Sequence, residues 1–157
     1  MQAERATLKA HDVRAALRGK PPITAETPYE EFKVACPTLS AFDKGEITLG
    51  RFASPTPWEN HPAGDEFLYV IDGKLEVVLL TGDQPVRIPV KAGSIFVVPR
   101  AVWHRQVPRP VASVLSALPT THGPISWSED PRRKRRKSKS RSKTGRPLSR
   151  SRARMPR

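Results

Sequence analysis

The sequence predicts an all-β domain whose antiparallel strands form a sandwich or barrel. From residue 32 onward, short β-branched runs are separated by Gly, Pro and Asp, and they recur at intervals of roughly ten residues. No helical periodicity interrupts these runs, which disfavours an α/β fold with helices between parallel strands. The chain also contains 17 prolines among 157 residues, a composition that disfavours long helices.

The predicted elements follow from hydrophobic periodicity and turn residues. Eight strands are expected, at residues 32–36, 46–52, 66–71, 74–80, 86–90, 94–98, 103–107 and 111–118. Asp72-Gly73 is the strongest hairpin signal, because both residue types tolerate the positive φ angles of tight turns. Gly82-Asp83 predicts a second turn. Before the strands, residues 7–18 predict one short helix that ends at Gly19.

Length and charge divide the chain into three predicted parts. A chain of 157 residues is long enough for one domain with flanking segments. We expect an N-terminal segment with the helix at residues 1–30, the β-domain at 31–130 and a tail at 131–157. The tail holds 14 of the 28 Lys and Arg residues and no acidic residue, so residues 1–130 carry the other 14 against 15 Asp and Glu. Because such a tail buries little apolar surface and repels itself, we expect it to be disordered.

The basic tail allows two interpretations. Clustered guanidinium and ammonium groups favour non-specific binding to nucleic acid or anionic lipid through counterion release. The densest run, which also resembles a nuclear-import signal, consists of Arg132, Arg133, Lys134, Arg135, Arg136 and Lys137. The alternative is a solvated tail with no selected partner. No aromatic residue is interleaved to stack on bases, so sequence-specific recognition is not expected.

The cysteine content and the apolar runs of the sequence indicate the cellular compartment. Cys36 is the single cysteine, so no internal disulfide can form, and we expect a buried thiol. No early apolar stretch resembles a secretory signal, and no run approaches the roughly 18 apolar residues that span a bilayer. The sequence therefore predicts a cytoplasmic protein without a membrane span.

Four acidic and histidine side chains are placed so that they could meet inside the barrel. Because successive side chains of a strand point to opposite faces, Glu59 and His61 share one face. Glu66 opens a later predicted strand, and His104 lies near the start of another. Gln106 faces the same way as His104 and is a candidate substrate contact. Burying two carboxylates without a cation is costly, which favours a metal site over the alternative, a metal-free binding pocket.

These residues carry a resemblance to the cupin superfamily. The stretch ENHPAGDEFLYVIDG at residues 59–73 resembles the first cupin motif, a His-x-His pair followed after four residues by Glu and after six more by Gly. The stretch GSIFVVPRAVWH at residues 93–104 resembles the second motif, in which a Gly, a Pro and a His keep fixed spacings. The resemblance covers roughly residues 47–118 and implies a small single-domain cupin, a double-sheet jelly roll.

The chain departs from the motifs at three positions. Glu59 replaces the first His, Ala101 replaces a Gly and Pro108 replaces an Asn. With Glu59 bound, two imidazoles and two carboxylates favour Mn²⁺ or Fe²⁺, and Zn²⁺ or Ni²⁺ would also fit. Without Glu59, the other three donors form the two-histidine, one-carboxylate set that is typical of non-haem iron oxygenases.

The resemblance implies oxygenase- or isomerase-type chemistry at a mononuclear metal on a small polar or anionic molecule, and it implies a homodimer. The same pocket is compatible with a non-catalytic sensor or small-molecule-binding protein, attached to nucleic acid through its tail. Four arginines of the body could attract an anionic substrate, although exposed solubilising positions are the simpler interpretation. They are Arg51, Arg87, Arg100 and Arg105.

Overall fold

A computed structural model of the chain describes residues 9–133. The described residues form two short helices and eight strands. The helices are α1 (Val13–Leu17) and α2 (Tyr29–Ala35), and the strands are β1 (Thr38–Phe42), β2 (Gly45–Phe52), β3 (Trp58–Glu59), β4 (Glu66–Leu79), β5 (Val86–Lys91), β6 (Ile95–Val98), β7 (His104–Pro119) and β8 (Ile125–Ser126).

Two long strands, β4 and β7, form the centre of the sheet. They pair antiparallel over most of their length, from Phe67 opposite Ala117 to Leu79 opposite His104. β4 also pairs with β5 and β6, and β7 continues the order β1-β2-β7-β3-β8. All strand pairings are antiparallel, so the result is one continuous curled sheet. The predicted all-β antiparallel fold with a short N-terminal helix is confirmed.

Alternation along the two central strands creates the core. Leu68, Val70 and Val77 of β4 are fully buried, and Val114 of β7 lies in the same cluster. A second, smaller cluster has Trp58 at its centre and includes Val78, Leu80 and Val107, with Trp103 packed against it. The face of β4 that begins at Glu66 is therefore an apolar interior face, as its sequence pattern predicts.

The hairpin predicted at Asp72-Gly73 is wrong, because β4 runs through both residues. The pairing with β7 shifts register on either side of them, between Val70 and Asp72 and between Gly73 and Leu75. Gly73 has a φ of 77°, and a Cβ there would collide with the backbone of β7. The positive φ thus produces a bulge, because the long partner strand keeps the chain extended. The Gly82-Asp83 turn is confirmed, since β4 and β5 pair up to Leu79 opposite Val86.

The strand predicted at residues 32–36 is also wrong. Residues 32–35 belong to α2 and Cys36 caps its end; the helix has Glu30 and Glu31 in its first turn, where acidic side chains complement the helix dipole. Phe32 and Ala35 pack into the main core, so a helical spacing buries them. The predicted helix at residues 7–18 is shorter than expected. It begins after Asp12, whose Oδ1 accepts a hydrogen bond of 2.9 Å from the Ala15 amide.

Further differences concern strand boundaries. The strands predicted at residues 103–107 and 111–118 are one strand, β7, which continues through Pro108 and Pro110. β1, β3 and β8 were not predicted, and two of these have only two residues each. Neither helix of the described chain has the length and apolar character of a membrane span. Most of the predicted disordered tail lies outside the described residues.

Candidate metal centre

The fold brings the four predicted donor residues together. Glu59 of β3 lies directly opposite His104, the first residue of β7. Glu66 is the first residue of β4, and His61 follows β3 by two residues. One donor atom from each of the four residues lies within 4.8 Å of the other three. The centre therefore draws on three separate stretches of chain.

Backbone contacts hold the two motif loops against each other. The Ala101 amide donates a hydrogen bond of 3.1 Å to the His61 carbonyl, and the Asn60 side-chain amide donates one of 3.1 Å to the Ala101 carbonyl. Asp65 Oδ1 accepts a hydrogen bond of 2.7 Å from the Arg100 amide. These links fix the loop that carries His61 beside the loop that leads to His104.

His104 is buried and held on both ring nitrogens. It is 1% exposed, its Nδ1 lies 3.0 Å from the Val102 carbonyl, and its Nε2 lies 2.8 Å from Glu66 Oε2. A backbone acceptor at Nδ1 fixes the proton there and leaves Nε2 facing the acidic group, which is the tautomer that a metal ligand requires. Burial alone lowers the pKa of His104, but the Glu66 carboxylate outweighs it, so the pKa is raised.

His61 is buried without comparable support. It is 6% exposed, and neither ring nitrogen has a hydrogen-bond partner among the described residues. Its Nε2 lies 3.6 Å from Glu59 Oε2 and 3.5 Å from Glu66 Oε2, too long for good hydrogen bonds. Burial alone lowers the pKa of His61, but the two carboxylates outweigh it and raise the pKa to about 9. A buried imidazole thus faces two carboxylates without a hydrogen bond.

Glu66 is the shared acidic partner of both histidines. It is 3% exposed, and its Oε2 faces His104 and His61. Burial alone raises the pKa of this carboxyl, but the two imidazoles outweigh it and lower the pKa to about 2. Glu66 is therefore ionised at neutral pH, as a metal-ligating carboxylate must be.

The donor set fits a divalent ion. Metal–nitrogen and metal–oxygen bonds of about 2.1 Å place donors roughly 3 to 4.3 Å apart around one ion. The contacts of 2.8, 3.5 and 3.6 Å fall close to that range, and the centroids of the His61 and His104 rings are 5.1 Å apart. Nε2 of His61, which faces both carboxylates, is a buried polar atom that an ion would satisfy.

The centre opens into a cavity of about 860 Å³. Glu59, His61 and Glu66 line it, and so does Gln106, the predicted substrate contact. Cavities of about 300–1,000 Å³ are usual for sites that enclose a small molecule. Gln106 is 5% exposed, and its Oε1 has no hydrogen-bond partner among the described residues. The donors therefore face a space that can hold an organic ligand.

Several lining residues were not predicted from the sequence. Helix α2 and the segment before it contribute Ile23 and Phe32, and β2 contributes Thr48. The alternation of β2 indicates which face Thr48 occupies, whereas nothing in the sequence indicates that the N-terminal segment covers the barrel. Cys36 is half-buried beside the same cavity, and burial raises the pKa of its thiol to about 11. The thiol is therefore protonated at neutral pH.

The predicted basic residues do not join this centre. None of Arg51, Arg87, Arg100 and Arg105 lines the cavity in the described structure. Arg105 lies over the ring of Trp58, with its guanidinium carbon 4.7 Å from the ring centroid. Of the predicted nucleic-acid-binding run, Arg132 pairs with Asp130 at 2.9 Å and Arg133 is exposed. Lys134, Arg135, Arg136 and Lys137 lie outside the described residues, so this interpretation stays a prediction.

Comparison with known proteins gives one family match. The family model described as the cupin domain matches residues 46–107, a range that includes both motifs. No curated protein shows significant sequence similarity to the chain.

One solved structure shares the fold, and two others are similar over part of the chain. A protein of Neisseria meningitidis is 15% identical over 71% of this chain and 100% of that chain, with a TM-score of 0.55. A cupin-2 domain protein of Shewanella frigidimarina is 21% identical over 54% of this chain and 78% of that one, with a TM-score of 0.47. An oxalate oxidase is 26% identical over 54% of this chain, with a TM-score of 0.45, and the match spans 46% of its length. The family match, the two motifs and the curled antiparallel sheet together support the resemblance of residues 46–107 to the cupin superfamily.

Proposed function

We propose that Glu59, His61, Glu66 and His104 bind one divalent transition-metal ion, and that the ion binds and activates a small organic molecule in the adjoining cavity. The reaction class that fits this arrangement is metal-dependent oxygenase or isomerase chemistry. A bound ion of this kind supplies Lewis-acid polarisation or a redox centre to a ligand in its open positions.

One observation carries the proposal. His61 is buried with both ring nitrogens unpartnered among the described residues, and it faces two carboxylates at 3.5 and 3.6 Å. An apolar core does not retain such a group without a compensating partner. A cation at this point would satisfy His61 and both carboxylates at once.

The residues have separable roles in this site. His104 is the most firmly positioned donor, because the Val102 carbonyl fixes its ring. Glu66 supplies a buried negative charge between both imidazoles. Glu59 is half-buried on the two-residue strand β3, so it is the donor with most freedom to move away when a ligand arrives.

The donor set also bears on the identity of the ion. Two carboxylates make the site harder than one with three imidazoles, which favours Mn²⁺ or Fe²⁺ over softer ions. Zn²⁺ and Ni²⁺ remain compatible with two imidazole nitrogens. Comparison of these four ions under the same conditions distinguishes them.

A second function uses the same pocket without catalysis. The chain would then be a sensor or carrier that binds a small molecule at the metal. This candidate gains support from Cys36 of the cavity lining, because its thiol is protonated and does not supply a ready general base. A carrier binds a ligand without converting it, whereas an enzyme converts it when the ion is present.

Metal stoichiometry tests the proposal. The full chain is stripped with a chelator, reconstituted anaerobically with Mn²⁺ or Fe²⁺, desalted and measured by elemental analysis. We expect one ion per chain, and we expect the H61A/H104A double variant to retain almost none. His122→Ala is the matched control, because His122 is a histidine of the same cavity outside the donor set. Negligible metal in the wild type, or full occupancy in the double variant, contradicts the proposal.

A further inference from the structure

The structure also bears on what the cavity accepts. We propose that its ligand is an uncharged organic molecule with an apolar body and a hydroxyl group, and that Gln106 is a specificity-determining contact for it. This inference rests on the proposed metal function, and it departs from the anionic substrate that the arginines of the sequence would allow.

The charge balance at the donors is the first argument. Glu59 and Glu66 contribute two negative charges to the cavity wall, and a divalent ion contributes two positive charges. The metal centre is then neutral, with both histidines as uncharged ligands. An anion bound there adds a negative charge that the centre does not balance.

Among the described residues, the rest of the cavity lining supplies no positive charge that is both buried and unpaired. Lys33 lies at its edge, half exposed, with its ammonium 3.2 Å from Glu30. Glu46 also lines the cavity, but its side chain is acidic rather than basic. Its Oε2 accepts a hydrogen bond of 2.7 Å from Thr38. His122 is mostly exposed and its Nε2 is 3.9 Å from Glu46. No arginine is among the lining residues of the described chain, so a buried carboxylate or phosphate would lack a partner.

The walls fit an apolar body with few polar groups. Apolar atoms make up most of the lining surface, and six of the apolar side chains are Ile23, Phe32, Phe52, Leu118, Ile125 and Trp127. The polar groups among them are mostly uncharged hydroxyls, such as those of Thr48, Thr56 and Ser116. Hydroxyls bind neutral oxygen and nitrogen groups well, whereas they stabilise a full charge much less than an arginine does.

Gln106 supplies the polar contact beside the donors. Its backbone amide donates a hydrogen bond of 3.0 Å to Thr56 Oγ1, which fixes this part of β7. Its side chain is buried in the cavity wall, and Oε1 has no partner among the described residues. A half-turn of the terminal amide exchanges its oxygen and nitrogen, so the group can accept from or donate to a ligand hydroxyl. An uncharged amide is suited to a neutral hydroxyl.

A matched pair of probes tests the inference. Mandelamide and mandelate share a phenyl ring and an α-hydroxyl and differ in whether the acyl group is neutral or anionic. Their dissociation constants are measured by calorimetry on the full chain loaded with Mn²⁺. We expect mandelamide to bind at least about tenfold more tightly than mandelate, because burial of an unpaired charge is costly.

Variants of Gln106 test whether its side chain contacts the bound probe. In Gln106→Leu we expect mandelamide affinity to fall by about 2- to 10-fold, the loss of one neutral hydrogen bond. Gln106→Glu keeps the shape and adds a negative charge, so it should weaken mandelate more than mandelamide. Bound Mn²⁺ and thermal unfolding are measured for each variant to show that it is folded and loaded. The comparison of mandelamide with mandelate on the wild-type chain does not depend on the variants.

The possible failures are distinguishable. Tighter binding of mandelate, binding of neither probe, or an unchanged mandelamide affinity in a folded Gln106→Leu protein overturns this inference while the metal centre stands. Absence of bound Mn²⁺ in the wild type overturns the proposed function and this inference together. Preference for mandelamide that decreases in Gln106→Leu supports both.

Discussion

Neighbouring residues at β3 and at the start of β7 lie on opposite faces of the sheet. The contrast separates the residues that line the cavity from the residues that pack against each other. Trp58 is buried in the smaller apolar cluster, whereas its neighbour Glu59 lines the cavity. Trp103 packs against the same cluster, whereas His104 is a donor. Arg105 lies over the Trp58 ring, whereas Gln106 lines the cavity. The alternation of an extended chain places three polar groups on one face and their neighbours on the other.

The two faces differ in what their side chains border. On the packing face, the described side chains are mainly apolar and in mutual contact. Both faces hold buried polar atoms without partners among the described residues, namely Trp58 Nε1 and Arg105 Nε on the packing face and atoms of His61 and Gln106 on the cavity face, but only His61 and Gln106 line the cavity. Packing faces stabilise a fold, while unsatisfied buried polar groups beside a cavity mark places where a ligand completes the structure. Substitutions on the two faces should therefore have different consequences.

The largest effect is expected on the packing face. Trp58→Ala leaves a cavity in the smaller cluster, and we expect the free energy of unfolding to fall by about 3–5 kcal/mol in urea titrations with chelator present. Trp58→Phe is the control, and it should cost much less because most of the ring volume remains. If Trp58→Ala left the unfolding midpoint unchanged, the packing role of this face would be wrong.

On the cavity face, His104→Ala should act on metal affinity. Removal of a donor is expected to weaken Mn²⁺ binding by more than about 100-fold, beyond the 10–100-fold loss typical of residues that only orient a ligand. The neighbouring substitution Trp103→Phe should change Mn²⁺ affinity by less than about twofold, since Trp103 lies on the packing face. Equal losses in the two variants, measured by isothermal titration calorimetry, would contradict the division between faces.

The pH dependence of metal binding sharpens the comparison. In the metal-free protein the pKa of His61 is about 9, so an ion at pH 7 must displace the His61 proton. Apparent metal affinity should therefore rise by about tenfold per pH unit between pH 7 and 9. Calorimetry at pH 7 in two buffers of different ionisation enthalpy should detect the released proton, and identical heats in both buffers would count against it.

The free energy of unfolding of the metal-free protein should instead decrease as the pH rises from 7 to 9. A raised pKa means that protonated His61 stabilises the fold fully below its usual pKa of about 6.5, and this contribution is lost as the pH rises through about 9. Glu66, with a pKa of about 2, contributes stability that is present above about 4.5 and lost as the pH falls toward 2. Urea titrations in chelator across pH 6–10 measure the first effect, and His61→Ala should reduce it, leaving the contribution of His104, whose pKa is also raised.

The smallest expected effect concerns Ala101, which lies in the loop between β6 and β7. Ala101 has a φ of 62°, a left-handed conformation that costs a residue with a Cβ roughly 1–2 kcal/mol. Ala101→Gly removes this strain and adds chain entropy to the unfolded state, so we expect a net stabilisation of about 0.5–1 kcal/mol. Ala117→Gly, in the extended strand β7, should instead destabilise by a similar amount. A loss of stability in both variants would contradict this account of the loop.

The sequence predicted the donors because their signals are local. Residue type, motif spacing and period-two alternation are sufficient to place Glu59 on the face of His61, and His104 on the face of Gln106. Each of these inferences depends on a few neighbouring residues along one strand.

Other features depend on distant parts of the chain and could not be predicted in this way. Gly73 has the positive φ of a turn residue, but its long partner strand makes the position a bulge. The run of residues 32–36 contains an aromatic and a β-branched residue, as a strand often does, but packing of Phe32 and Ala35 against the barrel favours a helix. The N-terminal cover of the cavity likewise follows from tertiary contacts, which have no local signature.

X-ray absorption at the metal edge tests the central claim most directly. On full-length protein loaded with Mn²⁺ or Fe²⁺, we expect a first shell of nitrogen and oxygen donors and the outer-shell scattering of two imidazole rings. His61→Ala should leave the scattering of one ring, while His122→Ala should leave the spectrum unchanged. A spectrum without imidazole scattering, or one that His61→Ala does not alter, would contradict a centre built from His61 and His104.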